Sequence, residues 1–196
     1  MKSDLYTPLI ENLTAKADFT SEQLAIIKEA FKIRKLAKKE YLLRPGQISH
    51  HLYFVSSGCL RVYTLEDVRE IITQFGIKGW CVNDLTSYLT LKPATQFIQA
   101  IEPSVLLQIH RDTLEELYDK VPPLERFFRI KFQSALTVMQ ERHLKSISQS
   151  AGERYEQFRS QYREIEQRVP QYMIASYLGI TKEFLSYLRK SHRSIY

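Results

Sequence analysis

The sequence predicts an α+β chain with an N-terminal antiparallel β-roll, one long helix and a C-terminal helix-turn-helix. Three observations lead to this fold class. Short runs of β-branched and aromatic residues alternate with turn signals over residues 33–110. No glycine or proline interrupts residues 124–146. Residues 169–190 carry the spacing of two short helices joined by a tight turn. The expected domains are 1–119, 120–147 and 148–196.

The first elements follow from hydrophobic spacing. Residues 21–31 read as a short amphipathic helix with Ser21 as the expected N-cap. A series of short strands follows, and a single helical turn at 84–89, capped by Asn83 or Asp84, interrupts it. Glycine, proline and serine separate the strands, which is typical of an antiparallel roll or barrel. The predicted strands are 41–43, 52–55, 60–63, 71–75, 97–101 and 105–109.

The chain after residue 110 is predicted to be helical. Residues 111–120 form one helix, and Pro123 lies at the first turn of the next, which runs roughly 20 residues. This long helix carries two sets of apolar residues. We predict that one face covers the β-domain and the other meets the same helix of a second subunit, with burial inside one subunit as the alternative. The sets are Leu124, Phe128, Phe132, Ala135, Leu136 and Met139, and Phe127, Ile130 and Val138.

The C-terminal segment has the pattern of a helix-turn-helix. A capping box at Ser150 and Glu153 first opens a helix that we expect to end near Arg168. Pro170 then stands where the first helix of the motif begins, and Gly179 where it must stop, because glycine readily adopts the left-handed conformation. Thr181 can cap the second helix. The predicted inner positions are Ile174, Ala175, Leu178, Ile180, Leu185 and Leu188.

The outward face of the second helix carries the predicted DNA contacts. Lys182 could donate to guanine and Glu183 could accept from cytosine. Arg189, Lys190 and Arg193 suit phosphates. Phe184 either packs inward or touches a thymine methyl group. The candidate DNA-binding residues are Thr181, Lys182, Glu183, Ser186, Tyr187, Arg189 and Lys190.

The charge distribution agrees with this prediction. The 196 residues carry a net charge of +6. Residues 1–119 hold 14 basic and 15 acidic side chains, whereas residues 120–196 hold 14 and 7. All the excess positive charge therefore lies after residue 119. Such asymmetry indicates a near-neutral module followed by one that meets a polyanion.

Composition excludes other classes of protein. Hydrophobic residues make up 44% and charged residues 26%, which is ordinary globular usage. The apolar runs are far shorter than the roughly 20 residues that cross a bilayer, and the first residues lack a signal-peptide pattern. We therefore expect a cytoplasmic protein without membrane contact. The chain has two cysteines, Cys59 and Cys81, and we expect both to be reduced thiols.

The order of elements resembles the Crp/Fnr superfamily of bacterial transcription regulators, and the short C-terminal domain is most similar to Bacteroidetes-type members. Residues 43–46 (Leu-Arg-Pro-Gly) and 52–63 look like the start of the family's cyclic-nucleotide-binding fold. The resemblance implies a homodimer through the helix starting near Pro123, a palindromic site on double-stranded DNA, and RNA polymerase as a partner. Tyr187 departs from the family pattern, in which an arginine follows the serine.

The resemblance also implies an effector pocket. The family grips the ribose with a glutamate and neutralises the cyclic phosphate with an arginine. Here the acidic position is Asp84 and the arginine position is Ala94. An unpaired buried phosphate is costly, so we expect no cyclic AMP, and either another effector or none. The degenerate pocket would comprise Asn83, Asp84, Leu85, Thr95 and Gln96.

Other sensor chemistries have weak support in the sequence. Related regulators hold an iron–sulfur centre with an N-terminal cysteine cluster, but no cysteine precedes Cys59. Haem would need an axial ligand, for which His50, His51 and His110 are the candidates.

Two other functions compete with the regulator. A cupin-like metalloenzyme needs two imidazoles on one face of a strand, but adjacent His50 and His51 would point to opposite faces. We therefore expect no enzyme and no metal site. The other alternative is a ligand-binding or protein-interaction module that has lost DNA binding, which Phe184 and Tyr187 on the recognition face favour.

Overall fold

The chain forms two compact units in a computed structural model, which describes residues 4–193 and side chains through residue 191. The β-roll unit comprises the chain up to Val62 together with Phe75–Ser134. The C-terminal unit comprises Tyr63–Gln74 together with the chain from Ala135 onward. The boundary between the units therefore lies within the long helix, and the segment Tyr63–Gln74 belongs to the C-terminal unit. The predicted domains, in contrast, were continuous segments of the chain.

The β-roll unit contains most of the strands. Helices α1 and α2 precede eight strands, one short helix and helix α4, and helix α5 begins in this unit. In chain order the elements are α1 Thr7–Thr14, α2 Ser21–Ala30, β1 Lys32–Leu36, β2 Tyr41–Leu43, β3 His51–Ser57, β4 Cys59–Glu66, β5 Arg69–Ile77, β6 Cys81–Val82, α3 Leu85–Thr90, β7 Phe97–Ala100, β8 Ser104–His110, α4 Arg111–Lys120 and α5 Pro122–Ser148.

The strands form two four-stranded sheets, in the orders β1-β8-β3-β6 and β2-β7-β4-β5. Strands β1 and β3 both pair antiparallel with β8, and β2 pairs antiparallel with β7. This arrangement confirms the predicted antiparallel β-roll and all six predicted strands. Strands β1 and β6 and helix α1 were not predicted from the sequence.

Strand β3 separates two hydrophobic cores. Its alternating side chains point to opposite faces, so Leu52 and Phe54 join one core while Tyr53 and Val55 join the other. The first core also holds Phe127 and Phe128 at the start of α5. The helices therefore cover the outer face of the β1-β8-β3-β6 sheet, and the second core fills the roll.

Helix α5 divides along its length rather than by face. Leu124, Phe127 and Phe128, which come from both predicted apolar sets, are buried in the β-roll unit. Beyond residue 134 the apolar side chains become exposed: Leu136, Val138, Met139, Leu144 and Ile147. The predicted separation into two faces is therefore replaced by a buried first part and an exposed second part.

The C-terminal unit is helical apart from its hairpin. Its helices after α5 are α6 Ala151–Gln161, α7 Arg163–Arg168, α8 Gln171–Leu178 and α9 Lys182–Arg193. The predicted capping box is present, since Ser150 and Glu153 bond reciprocally. Among residues 4–193, no helix is both long and apolar enough to cross a membrane.

Two local predictions were wrong. Thr20, not Ser21, caps α2, because its hydroxyl and the Gln23 side chain make a reciprocal capping box. The single helix expected to end near Arg168 breaks at Tyr162, whose backbone leaves the helical region at φ −126°. No glycine or proline marks that break. After it, Ile165 is buried in the C-terminal unit.

Candidate nucleic-acid interface

The turn between α8 and α9 has the predicted geometry. Gly179 adopts φ +68°, and the backbone N–H groups of Gly179 and Ile180 donate to carbonyls of the last turn of α8. A β-carbon at Gly179 would meet no atom within 4 Å, so conformation rather than space calls for glycine there. Thr181 Oγ1 accepts the Phe184 N–H at 3.1 Å and so caps α9.

The inner face of the motif is apolar and closed. Leu185 is fully buried and Leu188 nearly so, as predicted for the inner side of α9. On α8, Ile174 and Ala175 are also buried. The small side chain of Ala175 suits the close crossing of the two helices. This packing positions the opposite face of α9 toward solvent.

That opposite face brings the candidate DNA-binding residues together. Thr181, Lys182, Glu183, Tyr187 and Lys190 are exposed, and Ser186 and Arg189 are half-buried beside them. Lys182, Arg189 and Lys190 therefore place three positive groups on one short helix. A major groove admits one α-helix, and its phosphates attract such groups.

A shallow open depression lies at one edge of this face. It measures about 200 Å³ and is lined by Gln171, Ser186, Arg189 and Lys190. Three of these four residues were predicted to contact DNA. Gln171 was missed by the sequence analysis, although it is the first residue of α8, whose free backbone N–H groups favour anions.

A buried tyrosine joins α6 to α7. The Tyr155 hydroxyl donates to Glu166 Oε1 at 2.8 Å, and Arg159 Nε lies 3.3 Å from the same oxygen. Burial, together with the hydrogen bond to Glu166, raises the pKa of Tyr155 to about 12. The phenol therefore stays protonated and joins α6 to α7 as a donor throughout the neutral range.

The side chain of Ser176 on α8 forms hydrogen bonds with the hairpin tip, which we define as Tyr63–Gln74. Its hydroxyl donates to Glu70 O at 2.8 Å and accepts the Ile72 N–H at 3.0 Å. One side chain thus satisfies a donor and an acceptor of strand β5, as a neighbouring strand would. The hairpin tip and α8 are held together within the C-terminal unit.

Arg142 on α5 strengthens the same junction. Its guanidinium donates to Thr73 O at 2.6 Å and to Tyr177 O at 2.9 Å. It also lies 3.8 Å from the centre of the Tyr177 ring. Neither Ser176 nor Arg142 could be predicted from local sequence, because each acts through partners 35 to 106 residues away in the chain.

Replacing Ser176 with alanine should destabilise this junction. The change removes both hydrogen bonds of the Ser176 hydroxyl and deprives the buried Ile72 N–H of its acceptor, at a cost of about 1–3 kcal/mol. Urea unfolding measures the loss. Ser191→Ala is the matched control, because that hydroxyl bonds within its own helix, to Leu188 O. Equal stability of Ser176→Ala and Ser191→Ala would contradict the assigned role.

The predicted effector-pocket residues are brought together, but Asp84 is fully engaged. Asp84 is buried and caps α3, with Oδ1 accepting the Ser87 N–H at 3.0 Å and Oδ2 accepting the Thr95 N–H at 3.1 Å. Its carboxylate thereby joins the helix start to residue 95. Leu85 and Thr95 are exposed, Gln96 is half-buried, and the Asn83 amide nitrogen is buried without a hydrogen-bond partner in the described structure.

The position expected for the phosphate-binding arginine is part of the apolar interior. Ala94 is 4% exposed and packs in the core that fills the roll. Its backbone is also fixed, since its N–H donates to Gln47 O and its carbonyl accepts the Gly46 N–H. The buried guanidinium of Arg61 bonds to Gln99 Oε1 at 2.8 Å and 3.0 Å.

The three histidines considered as haem ligands meet at the edge of the β-roll unit. The ring of His110 lies 5.9 Å from that of His50 and 5.2 Å from that of His51, centre to centre. Partial burial lowers the pKa of His51, and the two neighbouring histidines lower it further. We expected His50 and His51 to point to opposite faces of one strand. Strand β3 begins at His51, so His50 lies outside the strand and this alternation does not apply to it. Among the described residues, no three side chains of histidine, cysteine, aspartate or glutamate are grouped so that they could hold a metal ion.

Comparison with known proteins finds a family match in the β-roll part of the chain and relatives that cover most of the chain. Residues 33–121 match the cyclic nucleotide-binding domain family. The chain is 28% identical over 169 residues to the anaerobic regulatory protein of Haemophilus influenzae, covering 79% of this chain and 64% of that one. It is 27% identical to the fumarate and nitrate reduction regulatory protein of Yersinia pestis, covering 79% and 66%. The chain thus spans just under two thirds of these relatives' length.

Solved structures extend the similarity through the helix-turn-helix. The c-di-GMP-responsive regulator CLP of Xanthomonas campestris superposes with a TM-score of 0.72 at 15% identity, covering 89% of this chain and 92% of that one. This chain has the Crp/Fnr fold. FixK2 of Bradyrhizobium japonicum has the same Crp/Fnr architecture, with a TM-score of 0.69 at 20% identity over 84% of this chain and 85% of that one. The predicted resemblance in fold is confirmed.

Proposed function

We propose that this Crp/Fnr-type chain is a cytoplasmic transcription regulator that binds a specific sequence of double-stranded DNA as a homodimer. The observation that carries the proposal is the outward face of α9. It presents Lys182, Glu183, Tyr187 and Lys190 on a helix whose inner face is closed by Leu185 and Leu188. The charge excess after residue 119 lies in the same half of the chain. RNA polymerase is the partner that regulation of this type requires.

Helix α5 supplies the proposed dimer contact. Leu136, Met139 and Ile147 recur at helical spacing on one face, and their exposed fractions are 56%, 67% and 72%. We name these three residues the α5 stripe. A soluble chain gains stability by covering such a row, and pairing with the same row of a second chain does so symmetrically. The two recognition helices would then meet half-sites about 34 Å apart.

Selection of bound fragments from the source genome tests the proposed function. Purified protein is mixed with sheared genomic DNA at about 0.15 M salt, and the retained fragments are sequenced. We expect enrichment of fragments that share an inverted repeat with half-sites one helical turn apart. Recovery of the input distribution would contradict sequence-specific binding.

The exposed aromatic side chains on α9 favour a second candidate function. Phe184 and Tyr187 are 43% and 64% exposed, which suits a protein-interaction surface as well as a DNA groove. In that case the chain would be a ligand-binding or protein-interaction module without DNA binding. The same fragment selection distinguishes the candidates, because such a module enriches no sequence.

Cyclic AMP is not the effector in this proposal. Two observations support this: Asp84 is engaged by two backbone N–H groups, and Ala94 packs in the roll core. A bound cyclic phosphate would lack the guanidinium that usually neutralises it there. The pocket would then serve another effector or none.

Calorimetry with cyclic AMP tests this part of the proposal. We expect no saturable heat up to about millimolar nucleotide, using a protein sample that retains DNA binding. A dissociation constant in the micromolar range would overturn it.

A further inference from the structure

Recognition helix α9 displays two aromatic rings side by side. Phe184 and Tyr187 are one helical turn apart, and their ring centres lie 6.1 Å apart with planes inclined by only 16°. We name them the aromatic pair. Both rings reach the surface of the described structure, where 43% of Phe184 and 64% of Tyr187 are exposed. The structure thus corrects the first of the two roles predicted for Phe184, because its ring does not pack inward.

The surroundings of the aromatic pair indicate its partner. Lys182 precedes it, and Arg189 and Lys190 follow it, on the same helix. A surface that combines exposed rings with three cations suits an apolar group embedded in a polyanion. The major groove of DNA is such a surface, and its apolar group is the 5-methyl of thymine.

The helix face explains why the pair can reach base edges. Leu185 and Leu188 hold the inner side of α9, so Tyr187 projects from nearly the opposite side and Phe184 from its flank. Both lie in the first half of the helix, which enters the groove in this motif. The half-buried Arg189 lines the depression at the edge, where phosphates are expected.

We propose that the aromatic pair determines DNA specificity by packing against thymine methyl groups. This inference rests on the proposed function, because it needs α9 in a major groove. It differs from hydrogen-bonded reading of bases, since a ring recognises the methyl by apolar contact alone. Half-sites should accordingly contain T·A base pairs at the positions that the aromatic pair contacts.

Replacing thymine by uracil tests the proposal, because it removes the methyl and preserves base pairing. The probe is the duplex recovered by the genomic fragment selection, compared with a copy synthesised with deoxyuridine for thymidine. Wild-type protein should bind the uracil copy about fourfold more weakly for each methyl contacted. Phe184→Ala and Tyr187→Ala should each reduce that ratio, whereas Tyr187→Phe should retain it.

Tyr172→Ala is the matched control, since Tyr172 is 48% exposed on α8 outside the recognition helix. Circular dichroism verifies that each variant is folded. Equal affinity of wild-type protein for both duplexes would overturn the inference and leave DNA binding intact. An unchanged ratio in the alanine variants would overturn it as well, because other groups would then contact the methyls. Binding of neither duplex above a random one would overturn the proposed function itself.

Discussion

Replacing Lys182 and Lys190 together with alanine is expected to weaken DNA binding at least about a hundredfold at moderate salt. A homodimer loses four positive groups through this change. Each phosphate contact contributes about 0.9 to the slope of log affinity against log salt, so the slope should become less steep by about two to four. Fluorescence anisotropy across a salt titration measures both quantities on one labelled duplex.

The control for this experiment removes the same charge elsewhere. Lys35 and Lys38 are exposed in the β-roll unit, and Lys35→Ala/Lys38→Ala changes the net charge equally. We expect the control to retain nearly the wild-type slope, because long-range charge effects are screened beyond about 8 Å at physiological salt. If Lys182→Ala/Lys190→Ala and the control gave the same affinity and slope, α9 would not be the DNA-contacting helix.

Introducing acidic residues into the α5 stripe should convert the proposed dimer to a monomer. In Leu136→Glu/Met139→Glu, self-association would bury four carboxylates without partners, which costs far more than the dimer contact gains. Light scattering after gel filtration should show the mass of one chain instead of two. Affinity for the full palindrome should fall by at least about a hundredfold, because two linked half-site contacts become separate events.

Ser134→Glu is the matched control for the stripe. Ser134 is exposed on the same helix, about 160° around the helix axis from Leu136, and its hydroxyl bonds to Ile130 O one turn earlier. We expect this variant to remain dimeric and to bind DNA. A wild-type monomer, or a dimer that survives Leu136→Glu/Met139→Glu, would show that the α5 stripe is not the contact.

Features set by local spacing were predictable from the sequence. Gly179 and Thr181 determined the turn of the helix-turn-helix, because backbone conformation and capping depend on a few neighbouring residues. The six main strands were recognised for the same reason, since their β-branched and aromatic runs are bounded by turn residues. The candidate DNA-binding residues followed from the helix period once that turn was placed.

Features that depend on distant partners were not predictable. Strand β1 is exposed along most of its length and contains three cations, Lys32, Arg34 and Lys35, and pairing with β8 makes it a strand. The junction of Ser176 with the hairpin tip joins residues 104 and 106 positions apart. Asp84 was expected as a pocket residue, and only the structure shows that Ser87 and Thr95 occupy both of its oxygens.

The affinity ratio between a selected duplex and a scrambled duplex of identical composition tests the central claim most directly. Both duplexes are measured at about 0.15 M salt, where the phosphate contribution is the same for each. A dimeric, sequence-specific regulator should prefer the selected duplex by about a thousandfold or more. Equal affinities would show that α9 binds only the DNA backbone, and no measurable binding to either would show that this chain does not act on DNA.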